Sequence, residues 1–257
     1  MLGTSLTSAT NNQFVLGCET TNTTVTASGS VSPSYLQINS PADYTITGGS
    51  FTGNTSILKQ GQGTLTLSGG TYNHTGNTEV WYGTLNLSNA YTTSPLMMKR
   101  FSKVNSNATL GGVTMEYGAT LYPGNSATIG NLTAKTVDMQ GGAIIEFDIQ
   151  NDGSAVDQLV VDSLILGDAN CIGATPTFYI RRTGAGTLTA GEYTLITANK
   201  GIKGDVSKIT VDGLKGLSAS LKQDGNKIVL VVESMRVATE IVYSGSGDWD
   251  LNKTESF

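Results

Sequence analysis

Residues 62–70 read Gln-Gly-Thr-Leu-Thr-Leu-Ser-Gly-Gly, and residues 82–89 repeat the phrase as Tyr-Gly-Thr-Leu-Asn-Leu-Ser-Asn. Looser copies occupy residues 107–112 and 117–121. A short strand bounded by glycine and repeated about every 20 residues is typical of a β-solenoid. The repeat therefore predicts an all-β chain in which successive coils stack on one another.

The alternation within each copy explains why the coils would stack. It places Leu65 and Leu67 on one face of a strand and the intervening threonines on the other. One coil cannot bury its apolar face alone, but the leucines of the next copy would cover it. Gly63 and Gly83 would allow sharp corners where a Cβ would crowd the bend. We predict a right-handed parallel β-helix of the pectin-lyase-like kind, with about ten rungs spaced at about 4.8 Å.

Composition excludes several other classes of protein. The 257-residue chain is 38% hydrophobic but only 14% charged, and it contains 32 glycines. Its formal net charge of −5 argues against a nucleic-acid partner, because such proteins need a concentrated basic face. No run of 18 apolar residues is present, so we expect no membrane insertion by this segment. Cys18 and Cys171 have no metal-ligand spacing, and we expect no disulfide between them.

The length and hydrophobicity of the predicted strands change along the sequence and divide it into three parts. Residues 1–132 carry the solenoid repeats, residues 133–236 have longer and more apolar strands typical of a capping region, and residues 237–257 form a linker or the start of a further repeat unit. Residues 223–226, Gln-Asp-Gly-Asn, predict a tight hairpin turn in the capping region. Residues 95–101 lack alternation and are interpreted either as a projecting loop or as an irregular rung.

Few residues are suited to catalysis. The only histidine, His74, is predicted to lie in a solvent-exposed turn, and a single histidine excludes a multi-histidine metal site within this chain. Glu146 and Asp148 share a strand face, as a glycosidase or a calcium-dependent lyase would require, but an ordinary half-exposed strand is favoured. None of the four arginines is expected beside a carboxylate cluster.

We also predict no metal site and no cofactor. Residues 151–154, Asn-Asp-Gly-Ser, could offer oxygen ligands to a structural calcium ion. They lack the order of a known calcium loop, so a hairpin turn is favoured. The sequence therefore predicts no catalytic residue, although structural calcium stays open.

Aromatic residues near repeated positions are the candidates for ligand binding. Trp81, Tyr82, Tyr117 and Tyr122 could form a stripe on which sugars stack. The alternative is that these rings pack at corners or stack along the solenoid for stability alone.

The chain resembles the passenger domains of bacterial autotransporters. Residues 61–89 look like the autotransporter-associated β-strand repeat, and residues 121–133 resemble the segment that follows such repeats. Residues 155–161 and 191–196 match two further phrases of that family. Residues 241–250 depart from it, since they resemble the opening of another repeat unit rather than a lead into a membrane barrel. The resemblance implies a fragment of a large bacterial surface protein.

The resulting hypothesis is a non-catalytic structural or adhesive β-solenoid segment of a bacterial cell-surface or secreted protein. Its partners would be extracellular glycans or host surface proteins, and its location would be extracellular. The alternative hypothesis is a carbohydrate-binding or polysaccharide-lyase-like module of an extracellular glycan-degrading protein.

Overall fold

The structure, a computed structural model, describes residues 5–7, 12–17, 22–88, 91, 93–124, 128–167 and 172–233. Two large sheets contain all the strands of these residues, and the chain passes from one sheet to the other in nearly every coil. Within the described part of the chain, the one helix is a single 3₁₀ turn, Val206–Lys208.

The first sheet stacks parallel strands in chain order. These strands are β1 (Ser5–Thr7), β3 (Thr24–Val31), β5 (Tyr44–Phe51), β7 (Thr64–Ser68), β10 (Thr84–Leu87), β12 (Lys103–Ser106), β14 (Thr120–Pro123), β16 (Ile144–Gln150), β18 (Thr177–Thr183) and β21 (Thr210–Asp212), with β8 (Thr71–Tyr72) paired to the end of β5.

The second sheet is parallel except at its C-terminal end. Its strands are β2 (Gln13–Leu16), β4 (Tyr35–Asn39), β6 (Ser56–Gln60), β9 (Thr78–Val80), β11 (Leu96–Met98), β13 (Thr109–Met115), β15 (Asn131–Met139), β17 (Gln158–Leu166), β19 (Gly191–Ala198), β23 (Lys227–Val232) and β22 (Ala219–Asp224), with β20 (Ile202–Lys203) paired to β17.

The repeated phrase stacks in register. Leu65 pairs with Leu85, and Leu67 pairs with Leu87, across the parallel ladder of β7 and β10. All four leucines are buried, whereas Thr66 and Asn86 between them are half-buried on the outer face. The sequence therefore identified both the inward face and the step between rungs. The predicted fold class, a parallel β-helix with a β-rich C-terminal region, is confirmed.

One looser copy of the phrase occupies a different place from the others. Leu121 lies in the first sheet, in line with Val104 and the leucines of the phrase. Leu110 lies instead in β13 of the second sheet, although its local sequence is just as similar. Leu110 and Leu121 are only 11 residues apart, about half the step between the two full copies of the phrase, so they lie in different sheets. Resemblance to the phrase therefore does not determine which sheet a strand joins.

Residues 95–101 form a rung and not a projecting loop. Leu96, Met97 and Met98 make the short strand β11, which pairs in parallel with β9 on one side and β13 on the other. Leu96 and Met98 are buried in the core, while Met97 is half-buried. The irregular-rung interpretation is confirmed.

The interior also contains a column of stacked aromatic rings. Phe51 and Tyr72 have ring centroids 5.1 Å apart, and Tyr72 and Tyr91 follow at 5.5 Å. All three side chains are fully buried. We call these three residues the interior aromatic column, and it ties successive rungs together through apolar contact.

The C-terminal end of the second sheet is closed by an antiparallel hairpin. β22 and β23 are joined by Gly225 and Asn226, and β23 pairs with β19 in the antiparallel sense. The predicted turn at residues 223–226 is thus confirmed. The proposed division at residue 132 falls inside β15, where parallel pairing continues on both sides. The third part, residues 237–257, and both cysteines lie outside the described residues.

Candidate binding surface

Successive corners between the two sheets form one edge of the solenoid. Each corner leaves a strand of the second sheet and enters the next strand of the first sheet, and backbone hydrogen bonds link one corner to the next. Examples are Trp81 N to Lys59 O at 2.9 Å and Lys99 N to Val80 O at 2.8 Å. We call the edge formed by Trp81, Tyr82, Phe101 and Tyr117 the aromatic corner.

Trp81 and Tyr82 present their rings to solvent at this edge. Their exposed fractions are 41% and 56%. The indole N–H of Trp81 donates to Glu79 Oε2 at 2.8 Å, and this contact orients the ring. Both residues follow β9 directly, so a rigid strand sets their position.

A buried lysine supports the corner from inside. Lys59 points into the core, and its ammonium donates to the carbonyl oxygens of Gln60, Gly61 and Tyr82 at 3.0, 2.8 and 3.1 Å. Desolvation lowers the pKa of this ammonium to about 8, although the nearby charge of Asp43 opposes the shift. The lysine therefore fixes the backbone beneath the Tyr82 ring.

Phe101 occupies an unusual backbone conformation. Among the described residues it is the one non-glycine residue with a positive φ, at 62°. It stands three residues after the buried end of β11, and Gly83, Gly118 and Gly142 hold the same place in neighbouring rungs. A bulky residue in the left-handed region costs about 1–3 kcal/mol and is often associated with a functional site.

The Phe101 ring is also largely exposed, at 62%. It makes an edge-to-face contact with Tyr117, with ring centroids 5.6 Å apart. A Cβ on Gly118 would lie 2.5 Å from the Phe101 ring, and a Cβ on Gly142 would lie 2.2 Å from the Tyr117 ring. Each aromatic ring thus covers the glycine of the following corner, and side chains larger than glycine would displace both rings.

Charged groups accompany these rings. Lys99 forms an ion pair with Glu116 at 2.9 Å, whereas Arg100 is exposed and has no ion-pair partner in the part of the chain that the structure describes. A depression of about 310 Å³ is lined by Trp81, Tyr82, Lys99, Arg100 and Glu116. The Phe101 and Tyr117 rings line part of a second depression of about 440 Å³.

Of the four residues predicted from sequence, three lie at this edge and Tyr122 lies elsewhere. Tyr122 is on the outer face of β14, where burial and Glu146 raise the pKa of its hydroxyl to about 12. Sequence reasoning missed Phe101, although a signal was present. A phenylalanine replaces the corner glycine three residues after an inward-facing position, and aligning the rungs would have revealed it.

A second cluster of charged residues surrounds Arg181 on the outer face of the first sheet. Its guanidinium donates twice to Asp148, at 2.5 Å from both Nε and Nη2, and approaches Glu146 at 3.6 Å. The expectation that no arginine lies beside the carboxylates is therefore wrong. Arg181 is 33 residues from Asp148 in sequence, but β16 and β18 pair in register and bring them together.

Asp157 completes this cluster as a backbone anchor. Its carboxylate accepts hydrogen bonds from Gly130 N at 2.7 Å and Asp148 N at 2.8 Å. Burial raises its pKa to about 7, against the opposing effect of these two donors. Because Asp148 and Asp157 are both buried and occupied by internal partners, the cluster ties rungs together and leaves no free carboxylate pair facing a cleft.

His74 is buried, and the prediction of an exposed turn is wrong. Its Nε2 lies 3.1 Å from the Thr78 hydroxyl, and its ring meets Tyr91 edge to face at a centroid distance of 4.8 Å. Ser94 also bonds to Thr78, at 3.0 Å, so a small polar cluster interrupts the apolar core. Desolvation lowers the pKa of His74 to about 4. The local sequence resembles a turn, but the coil folds this turn inward.

Most of the remaining polar candidates make structural contacts, although the buried Oδ1 atoms of Asn151 and Asn105 have no hydrogen-bond partner among the described residues. Residues 151–154 form the predicted turn, in which Asp152 accepts hydrogen bonds from the Ser154 backbone and hydroxyl. Along the first sheet, Asn105 donates to Asn86 at 2.8 Å and Asn86 donates to Thr66 at 3.3 Å. Among the described residues, no group of three or more His, Cys, Asp or Glu side chains is placed to hold a metal ion.

A comparison with solved structures gives a structural likeness, whereas the sequence comparisons give none. No protein-family model matches the chain, and no curated protein sequence matches it. The crystal structure of the Haemophilus influenzae Hap adhesin is similar with a TM-score of 0.44 and 16% sequence identity, over 89% of this chain. The chain spans only 24% of that adhesin chain. In the described residues, no helix is long and apolar enough to cross a membrane.

Proposed function

We propose that this chain is a structural and adhesive β-solenoid segment of a bacterial cell-surface or secreted protein, and that the aromatic corner is its adhesive surface. The observation that supports this most is Phe101. Its ring is exposed on a strained backbone, at a place where neighbouring rungs have glycine. Strain of about 1–3 kcal/mol is rarely retained where the side chain contributes nothing.

The rest of the corner fits the same role. Trp81, Tyr82 and Phe101 are exposed together on two successive rungs, and exposed aromatic groups that lie close together typically mark interaction surfaces. The ladders beneath them are hydrogen-bonded, and Lys59 fixes the Tyr82 carbonyl. A preorganised surface binds with a smaller loss of conformational entropy than a flexible one.

A flow assay tests the adhesive role. Beads coated with the purified chain are passed over a monolayer of epithelial cells, and the shear force that removes them is measured. The variant Trp81→Ala/Tyr82→Ala/Phe101→Gly should lose most of its retention. Tyr179→Ala, which removes a 37% exposed aromatic ring from the outer face of β18, is the matched control and should retain wild-type adhesion. Equal retention of the wild type and the triple variant would overturn the proposal.

The non-catalytic part of the proposal needs its own test. The carboxylates of Asp148, Asp157 and Glu146 lie close together. Arg181 and backbone N–H groups contact them. We therefore expect no ultraviolet absorbance from unsaturated products when the chain is incubated with polygalacturonate or alginate, with or without calcium. A sustained increase that disappears in Glu146→Gln would instead establish lyase chemistry.

A further inference from the structure

The aromatic corner carries an exposed arginine, Arg100, and its rings follow one another along the solenoid axis. We propose that it binds an acidic polysaccharide that runs parallel to the solenoid axis, with sugar rings against the aromatic side chains and a carboxylate or sulfate on Arg100. This inference rests on the proposed adhesive role and adds the chemical class of the ligand.

The spacing of the rings favours a chain-like ligand. Trp81 and Tyr82 lie on one rung, Phe101 on the next and Tyr117 on the one after, and the rungs of parallel ladders are about 4.8 Å apart. The aromatic groups therefore extend over about 10 Å along the axis. A linear saccharide presents an apolar C–H face at successive sugar rings, so one chain could meet Tyr82, Phe101 and Tyr117 in turn.

The shape of the surface points the same way. The two depressions, of about 310 and 440 Å³, are open to solvent, and residues of successive corners line them. Their walls combine aromatic faces with Lys99, Arg100 and Glu116, which can hydrogen-bond to hydroxyl groups. Ligand sites generally combine an apolar wall with a few polar groups of this kind.

Charge distinguishes an acidic ligand from a neutral one. Lys99 is neutralised by Glu116 at 2.9 Å, but Arg100 lies exposed between the two aromatic pairs with no acidic partner in the described part of the chain. Its planar guanidinium can donate two parallel hydrogen bonds to a carboxylate or sulfate. The whole chain has a net charge of −5, so it should repel a polyanion elsewhere, and any binding must be local.

Calorimetric titration of the full chain tests this assignment. The probes are oligogalacturonate for carboxylates, dextran sulfate for sulfates and unmodified dextran as the neutral arm. We expect at least one acidic probe to bind at least ten times more tightly than dextran. Arg100→Gln should weaken that binding about tenfold and reduce its dependence on salt. Arg182→Gln removes an exposed arginine from β18 and should leave the affinity unchanged.

The aromatic contribution is measured separately. Phe101→Gly should weaken binding at least fivefold while its melting temperature stays close to that of the wild type or rises, because relief of the strained φ offsets the lost ring contact with Tyr117. Loss of folding then cannot explain the loss of binding.

Three results would overturn the inference: equal affinity for acidic and neutral probes, an unaffected Arg100→Gln variant, or no binding to any of the three probes. If beads still adhere to cells through the corner but excess acidic probe does not compete, the adhesive role stands and the ligand is of another class, such as a protein. If neither adhesion nor binding depends on the corner, both proposals fail.

Discussion

The interior aromatic column and the aromatic corner are both stacks of rings on successive rungs, but they face opposite environments. In the column, Phe51, Tyr72 and Tyr91 are fully buried and stack at 5.1 and 5.5 Å. At the corner, Phe101 and Tyr117 meet edge to face while much of Phe101 remains exposed. The same residue types therefore stabilise the fold in one place and form a surface in the other, and the two sets should respond oppositely to substitution.

The largest effect should come from the column. Phe51→Ala removes a buried ring between Val31 and Tyr72 and should lower the free energy of unfolding by about 3–5 kcal/mol, since the cavity cannot fully collapse. Urea denaturation followed by circular dichroism measures this. A loss below about 1 kcal/mol would show that the column contributes little and would remove the contrast with the corner.

His74, whose ring contacts Tyr91 of the column, should make the stability of the protein depend on pH. The folded pKa of His74 is about 4, below the ordinary value of 6.5, so the unfolded chain binds more protons between these two values. Stability should therefore fall as pH decreases from about 6.5 to 4, by up to about 3 kcal/mol. Thermal melts of the wild type and His74→Gln across this range give the difference, and the stability of the wild type relative to the variant should be lowest at the acidic end.

Asp157 also titrates in this pH range, but its pKa is shifted in the opposite direction to that of His74. Its folded pKa of about 7 lies above the ordinary value of 3.8, so the folded chain binds more protons in between. Its contribution should therefore increase as pH falls from about 7 to 4. The Asp157 effect is common to the wild type and His74→Gln and cancels in their difference. A difference that does not change with pH would contradict the assignment to His74.

A smaller effect of opposite sign is expected within the column itself. The Tyr72 hydroxyl is buried and has no hydrogen-bond partner among the described residues. Tyr72→Phe should therefore raise the free energy of unfolding by about 1 kcal/mol, because a desolvated polar group is removed while the ring stays. Destabilisation in urea melts would instead indicate that this hydroxyl has a stabilising partner.

The smallest effect on stability should come from the corner. Phe101→Gly relieves about 1–3 kcal/mol of backbone strain and forfeits a ring contact with Tyr117 of about 0.5–1.5 kcal/mol. Urea melts should therefore show a change between a loss of about 0.5 kcal/mol and a gain of about 2.5 kcal/mol. Gly83→Ala is the reverse control: its Cβ would meet the Gly63 carbonyl oxygen at 2.5 Å, and it should destabilise the protein.

Local pattern was enough to predict some contacts across rungs and not others. The pairing of Leu65 with Leu85 followed directly from two equal phrases one rung apart. The ion pair of Arg181 with Asp148 did not, because the coil between them is longer and its register depends on the whole loop. Three residues of the proposed site came from aromatic positions near the repeated phrase, whereas Phe101 could be found only by aligning the corners of successive rungs.

The sequence by itself determined the stacked β architecture, since strict alternation of apolar and polar residues with glycine at the corners leaves each coil with one face that only another coil can cover. Tertiary structure decided which way the irregular positions face. His74 and Lys59 turn inward and Phe101 turns outward, because the length and φ values of each corner rotate the chain before the next strand begins. Those rotations depend on packing against the neighbouring rungs, and local sequence does not encode them.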